Sequence, residues 1–254
     1  MSQENNNQKS KNQDGIDVDI KVENSTPEAE QDAPAPKEVS TFRLVATLAI
    51  AGALAGLLIV LVNLHTKPII DKYKAEQLQL AVYEVLPEVE RYDTFYLVDG
   101  ELSSSLPANA KESEFKRVYV GRDSNGETTG VAISRGESGF QDVIMVIFGH
   151  DPMTGKLSGM KILDSKETPG LGDKIFKDLN FVDQFFAGPE TPLLGVKIGA
   201  GKGQPNEIDM ITGATISSKA VIQIINNALK EWKPILDKGI PPTPADAAPA
   251  EETP

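Results

Sequence analysis

One short segment holds the residue types best suited to chemistry: Asp209-Met210-Ile211-Thr212-Gly213-Ala214-Thr215-Ile216-Ser217-Ser218. Its hydroxyls, its acid and its glycine lie at the start of an amphipathic stretch. Small residues let a backbone approach a ligand closely. The unpaired amides at the start of a helix favour a phosphate. A hydroxyl in such a place either holds a phosphate non-covalently or is esterified by it. The structural alternative is a plain strand–turn–helix junction. Thr215, Ser217 and Ser218 are all competent N-caps, and Gly213 is a turn residue. The segment by itself leaves both readings open.

A second segment, Glu167-Thr168-Pro169-Gly170-Leu171-Gly172-Asp173-Lys174-Ile175, lies about 40 residues upstream. Pro169-Gly170 suits the two central positions of a type II turn. Gly199-Ala200-Gly201-Lys202-Gly203 invites a nucleotide-binding reading and fails it. No Ser or Thr follows Lys202, and Gln204 stands where a dinucleotide fingerprint needs its third glycine. It reads as a mobile loop. Gly136-Glu137-Ser138-Gly139-Phe140-Gln141 reads as a loop ahead of a strand starting near Val143.

Composition removes other chemistries. The chain has no cysteine and two histidines, His65 and His150, far apart in its 254 residues. Thiolate metal sites, disulfides, cysteine nucleophiles and multi-histidine metal centres are excluded. A net charge of −12 argues against nucleic acid. Much of that charge sits at the ends: residues 1–42 carry nine acids against four lysines. Such charge describes solvated tails more than a functional face.

The elements that must position these motifs fall into four parts. Residues 1–42 form an acidic tail too polar to bury a core, and are expected to be disordered. Leu44 to Val62 is a run of 19 residues, apolar except for Thr47. At about 1.5 Å per residue it matches a bilayer core, so 43–65 reads as a transmembrane helix. A cleaved signal peptide fits less well, because a long acidic tail precedes the run. Flanking lysines and arginine, two against three, do not decide its orientation. Residues 66–240 form the soluble body, opening with a stalk helix whose first turn suits Pro68 and which ends before Pro87. Strand-like runs follow at Thr94–Val98, Phe115–Val120, Thr128–Ser134, Val143–Gly149 and Lys156–Leu163. Helical stretches come near Asp173–Leu179 and Val182–Phe186, and further strands at Leu193–Ile198 and Glu207–Met210. Val221, Ile225, Leu229 and Trp232 recur at helical spacing over Ser217–Trp232. Strands first and helices later favour an α+β fold with a largely antiparallel sheet and packed helices. Residues 241–254, with five prolines, read as a disordered tail.

Asp209-x-x-Thr212-Gly213-Ala214-Thr215 resembles the covalent flavinylation motif of the FMN-binding domain family. Glu167–Gly172 is similar to the ETPGLG block of the G subunits of Rnf ion-translocating electron transport complexes. The two motifs occur in the family's order, and the resemblance covers about residues 40–235. It implies an FMN phosphoester on Thr215, made by a separate flavin transferase. Thr212, Gly213, Ala214 and Asp209 complete the attachment motif, with Asp209 recognised by the transferase. Glu167, Thr168, Gly170, Leu171 and Gly172 would form a loop over the flavin, and the segment Gly136–Gln141 would border the site. The resemblance further implies a one-electron relay within a multi-subunit translocase, not catalytically complete alone. It places the body on the periplasmic side of a bacterial inner membrane. Family members often carry a histidine just before the ETPGLG block, where this chain has Asp164-Ser165-Lys166, so a role resting on that histidine does not carry over. The competing readings are the C subunit of a sodium-translocating NADH:quinone reductase and a non-redox membrane-anchored phosphate-binding module.

The run Leu44–Val62 carries a direct expectation. Full-length protein stays with the membrane through a high-salt wash and leaves it only in detergent. Release by salt alone would remove the transmembrane reading.

Overall fold

The computed structural model describes residues 40–242. The two expected disordered tails lie almost wholly outside these residues. The chain separates into two compact units between Ile59 and Val60. The first is helical from Thr41, and Leu48, Ile50, Leu54, Leu58 and Ile59 are exposed. The helix that contributes to both units, α1 (Thr41–Val85), is long and apolar enough to cross a membrane.

Pro68 departs from expectation. It stands inside α1 instead of opening a new helix. Its ring removes the amide that would bond the Leu64 carbonyl, at a cost of about 3 kcal/mol in an ordinary helix interior. Good helix formers on both sides, Ala75 to Leu80 among them, carry the helical path onward.

The second unit is built on one antiparallel sheet. Its strands are β1 (Arg91–Val98), β2 (Glu101–Ser103), β3 (Arg117–Arg122), β4 (Thr128–Ser138), β5 (Val143–His150) and β6 (Leu157–Asp164). Their spatial order is β2-β1-β3-β4-β5-β6. Two short helices follow, α2 (Lys174–Lys177) and α3 (Leu179–Phe186). Next come two parallel strands, β7 (Leu194–Lys197) and β8 (Glu207–Met210), and then α4 (Thr215–Leu236). The class is α+β with a largely antiparallel sheet, as the sequence implies.

Strand side chains alternate between faces, so each face of the sheet needs its own cover. Val118, Val120, Val131, Ile133, Ile144, Val146 and Phe148 point to one face. There they pack with Val221, Ile225, Leu229 and Trp232 of α4. Tyr119, Ala132 and Ile147 point the other way, onto Ala81, Val82 and Val85 at the end of α1. α4 runs four residues beyond Trp232, with Pro234 in its last turn. Its burial on the sheet fixes where its first turn lies, and that turn carries the hydroxyl motif.

Gly149 on β5 is what lets α1 end on the sheet. A Cβ there would run into the Val85 carbonyl and the Ser158 hydroxyl. That hydroxyl donates to the same carbonyl at 2.6 Å. Gly149→Ala therefore overpacks the joint and should lower stability by about 1–3 kcal/mol. Thermal unfolding of detergent-solubilised protein checks this; an unchanged Tm would mean the joint is loose.

Candidate functional site

β8 ends at Met210, and a tight turn carries the chain into α4. The Ala214 amide donates to the Ile211 carbonyl at 3.1 Å, and Gly213 takes φ +83°. A glycine is favoured at that φ because a Cβ would crowd the backbone. α4 then starts at Thr215 with Ala214 in the cap position, and no side chain caps it. The first-turn amides are left without the side-chain partner that a Ser, Thr or Asp cap supplies.

The hydroxyls expected as caps are used elsewhere. Ser218 is buried, donates to the Ala214 carbonyl at 2.9 Å and accepts from the Ile211 amide at 3.2 Å. Ser217 is buried and donates to Glu167 Oε2 at 2.6 Å. Thr215 is exposed and reaches only the Ile211 carbonyl, at 3.5 Å. That is the outer limit of a hydrogen bond. Of these three hydroxyls, Thr215 offers its oxygen to solvent beside open helix amides.

Glu167 joins the two motifs. It is 5% exposed. Oε1 accepts from the amides of Phe140 at 2.9 Å and Gln141 at 3.0 Å. Burial pushes the carboxyl up, but the Ser217 hydroxyl and the amides of Gln141, Phe140 and Asp142 outweigh it and hold it below the usual carboxylate range. An ionised, buried acid is tolerable only with such donors. The glycines around it make the room. A Cβ on Gly139 would strike Glu167 Oε1, and one on Gly172 would lie 2.5 Å from Oε2 and 3.0 Å from the Ser217 hydroxyl.

The rest of the second motif forms the expected turn. The Leu171 amide donates to the Thr168 carbonyl at 3.1 Å, with Gly170 at φ +78°. The Gly170 amide donates to Asp173 Oδ1 at 2.7 Å, and Lys177 pairs with Oδ2 at 2.6 Å. Thr168 donates to the Gln141 side chain at 2.8 Å, a second stitch between this turn and the loop at 139–141.

The sequence-selected residues divide by exposure. Asp209, Thr212, Gly213, Thr215, Gly170 and Leu171 are exposed, Thr168 is half-buried, and Ala214, Glu167 and Gly172 are buried. Asp209 is held by its backbone. Its amide donates to Gln184 Oε1 at 2.7 Å, and Gln184 Nε2 donates to its carbonyl at 3.2 Å. Its carboxylate is left on the outside. Sequence reasoning misses Gln184 and the inward role of Ser217. Gly136–Ser138, which read as loop in the sequence, continue β4 and pair with Val143–Met145 of β5, because the alternation carries on through Gly136; the loop begins at Gly139. Exposed Phe140, Leu171 and Ile216 add apolar surface at or beside residues that meet at Glu167.

The Gly199–Gly203 loop, expected to be mobile, is instead pinned. Glu207 Oε2 accepts from the amides of Lys202 at 2.7 Å, Gly203 at 2.9 Å and Gln204 at 3.2 Å. The chain's own carboxylate fills the anion nest that the glycines form. Among the described residues no acid–histidine group is arranged to hold a metal ion.

These residues fit a flavin phosphate: an exposed hydroxyl, an uncapped helix start and flanking apolar side chains. Residues 139–230 match the FMN-binding domain family, a span that holds both motifs. The chain belongs to the family of G subunits of ion-translocating oxidoreductase complexes. It is 33% identical over 193 residues to the G subunit of the Na(+)-translocating ferredoxin:NAD(+) oxidoreductase complex of Acetobacterium woodii, covering 76% of this chain and 91% of that one. It is 28% identical to the G subunit of the ion-translocating oxidoreductase complex of Methanosarcina acetivorans, covering 76% and 94%. The crystal structure of Shewanella oneidensis NqrC aligns at TM-score 0.48 and 18% identity, covering 59% of this chain and 84% of that one.

The two glycines of the turn should respond differently to alanine. Gly170 has open space around its Cβ position, so only its positive φ resists. Gly170→Ala should cost about 1–2 kcal/mol. Gly172→Ala drives a methyl group onto Glu167 and Ser217 and should cost more. Denaturant unfolding of the two variants gives the order; the reverse order would mean that Glu167 has slack.

Proposed function

We propose that this chain is a membrane-anchored flavoprotein within an ion-translocating oxidoreductase complex, carrying FMN as a phosphoester on Thr215. The observation that carries the reading is the Thr215 hydroxyl: exposed, poorly hydrogen-bonded and placed at an uncapped helix start. It is also the last residue of the flavinylation motif within the FMN-binding match. In attachment the transferase would present FMN as one half of a phosphoanhydride: Thr215 Oγ1 would lose its proton and bond to the FMN phosphorus while the anhydride P–O bond breaks, the other half leaving as a phosphate monoester. The open amides of the first turn of α4 would stabilise the negative charge of the phosphodiester. Gly213, at positive φ, keeps the approach clear of side chain. Ala214, buried beneath, seats the turn, while Thr212 lies exposed in the same turn. The Asp209 carboxylate, facing out from a backbone fixed by Gln184, serves as a recognition point for the flavin transferase.

Bound FMN supplies the one-electron chemistry, and the protein binds and orients it. Thr168, Gly170 and Leu171 of the turn would hold the flavin, with Phe140 and Ile216 offering it apolar surface. An ester fixes the cofactor where a freely dissociating one would be lost outside the cytoplasm. The body, 66–240, sits on the periplasmic side, anchored by the helix over 43–65. The other subunits of an Rnf-type complex are its electron partners. The C subunit of a sodium-translocating NADH:quinone reductase is the weaker reading, because a G subunit is 33% identical over most of both chains.

Thr215→Val keeps the side-chain shape and removes the nucleophile. Co-produced with a flavin transferase, wild-type protein should give a fluorescent band in a denaturing gel and an intact mass raised by one FMN. The valine variant should give neither, while Thr212→Val should keep attached flavin. A fluorescent Thr215→Val band would exclude Thr215, and a dark wild-type band would favour the non-redox phosphate-binding module.

A further inference from the structure

We infer that Glu167 and Ser217 are positioning residues of the flavin site: their hydrogen bond locks the first turn of α4, and with it Thr215, against the loop at 139–141. The inference rests on the reading that Thr215 carries FMN. It assigns neither residue a contact with the flavin.

The geometry argues for a lock. Glu167 and Ser217 are 5% and 2% exposed, so neither is available to a bound group without rearrangement. Both carboxylate oxygens are occupied, one by the Phe140 and Gln141 amides and the other by the Ser217 hydroxyl. One side chain therefore holds a loop that precedes β5, the segment that follows β6, and α4. Two of these three segments contribute a glycine whose Cβ would collide with that carboxylate. The space is shaped to one group.

Helix geometry then links lock and display. Residues two apart on a helix point to different sides. With Ser217 turned inward onto Glu167, Thr215 turns outward, as its exposure records. Loss of the inward bond frees the first turn to rotate or fray, which moves the attachment oxygen. Phe140 would move with its loop, since its amide is held by the same carboxylate.

The lock works as an ionised group without a cationic partner. Of the charged groups on the adjoining segments, Lys166 pairs with Asp142 at 3.4 Å and Lys177 with Asp173 at 2.6 Å, and half-buried Lys174 forms no ion pair with Glu167. Lys219 on α4 is exposed. Glu167 is left to neutral donors, and removing one of them makes the carboxylate easier to protonate.

Two variants test this in full-length protein made with a flavin transferase. Ser217→Ala should slow flavin attachment by about ten-fold, the rate equivalent of one hydrogen bond to a charged group. In protein that has taken up no flavin, hydrogen exchange at the Phe140 and Gln141 amides should speed up by a similar factor. The visible circular dichroism of attached flavin should be flat from about pH 8 to about pH 5 in wild type. In Ser217→Ala any change linked to protonation of Glu167 should begin at a higher pH than in wild type, because one of the donors that keep it ionised is gone. Glu167→Gln keeps the volume and removes the charge. It should slow attachment as well, but with a flat profile, because nothing is left to titrate. Should Ser217→Ala fail to accumulate, Glu167→Gln supplies the attachment and exchange readouts. Wild-type attachment rates, exchange and pH profiles in both variants, with only a lower Tm, would overturn the lock and leave plain packing. A wild type that takes no covalent flavin overturns the lock together with the reading beneath it. A flavinylated wild type with indifferent variants overturns the lock alone.

Discussion

A carboxylate taken out of water must be met by donors or it protonates, and Glu167 is met on both oxygens. Three stretches that are distant in sequence supply the surroundings: the loop at 139–141, the turn at 167–172 and the head of α4. The loop and the turn have no strand ladder to hold them, and the head of α4 is an uncapped helix end. The sheet and α4 bring them close, and the charge of one side chain fixes their spacing. Residues 139 and 172 are glycines because the carboxylate occupies the volume a methyl group would take.

The large elements do the coarse placement. α4 buries Val221, Ile225, Leu229 and Trp232 on one face of the sheet, while the end of α1 covers the other. That burial fixes the body of the helix, and its uncapped first turn is left to local bonds. Ser218 holds the turn from inside through Ile211 and Ala214, and Ser217 holds it to Glu167. Of the three hydroxyls on α4, Thr215 is then the one left exposed and only weakly bonded.

Much of this is legible in the sequence. The alternation of β3 to β6, the helical recurrence in α4 and the Pro169-Gly170 turn all follow from local rules, and all appear. The motifs mark the right neighbourhood. The partners are not legible. Glu167 is satisfied largely by backbone amides, and a backbone amide has no letter in the sequence. Ser217 looks like a cap because side-chain type alone does not tell which way it points. Gln184 grips Asp209 across 25 residues through main-chain atoms, again without a motif. Pro68 reads as a helix start from its intrinsic preference, and the surrounding helix overrides it. The short strand β2 is too brief to show a period.

The Gly199–Gly203 loop bears on cofactor selectivity. Its three amides converge on Glu207, an acid only three to five residues along the same chain. A tethered carboxylate acts at an effective concentration of about millimolar or more, without any cost of diffusion. A free nucleotide or phosphate would have to outcompete it at every encounter. The amides at the end of the stretch whose glycines look most like a nucleotide site are thus already taken by a carboxylate of the same chain.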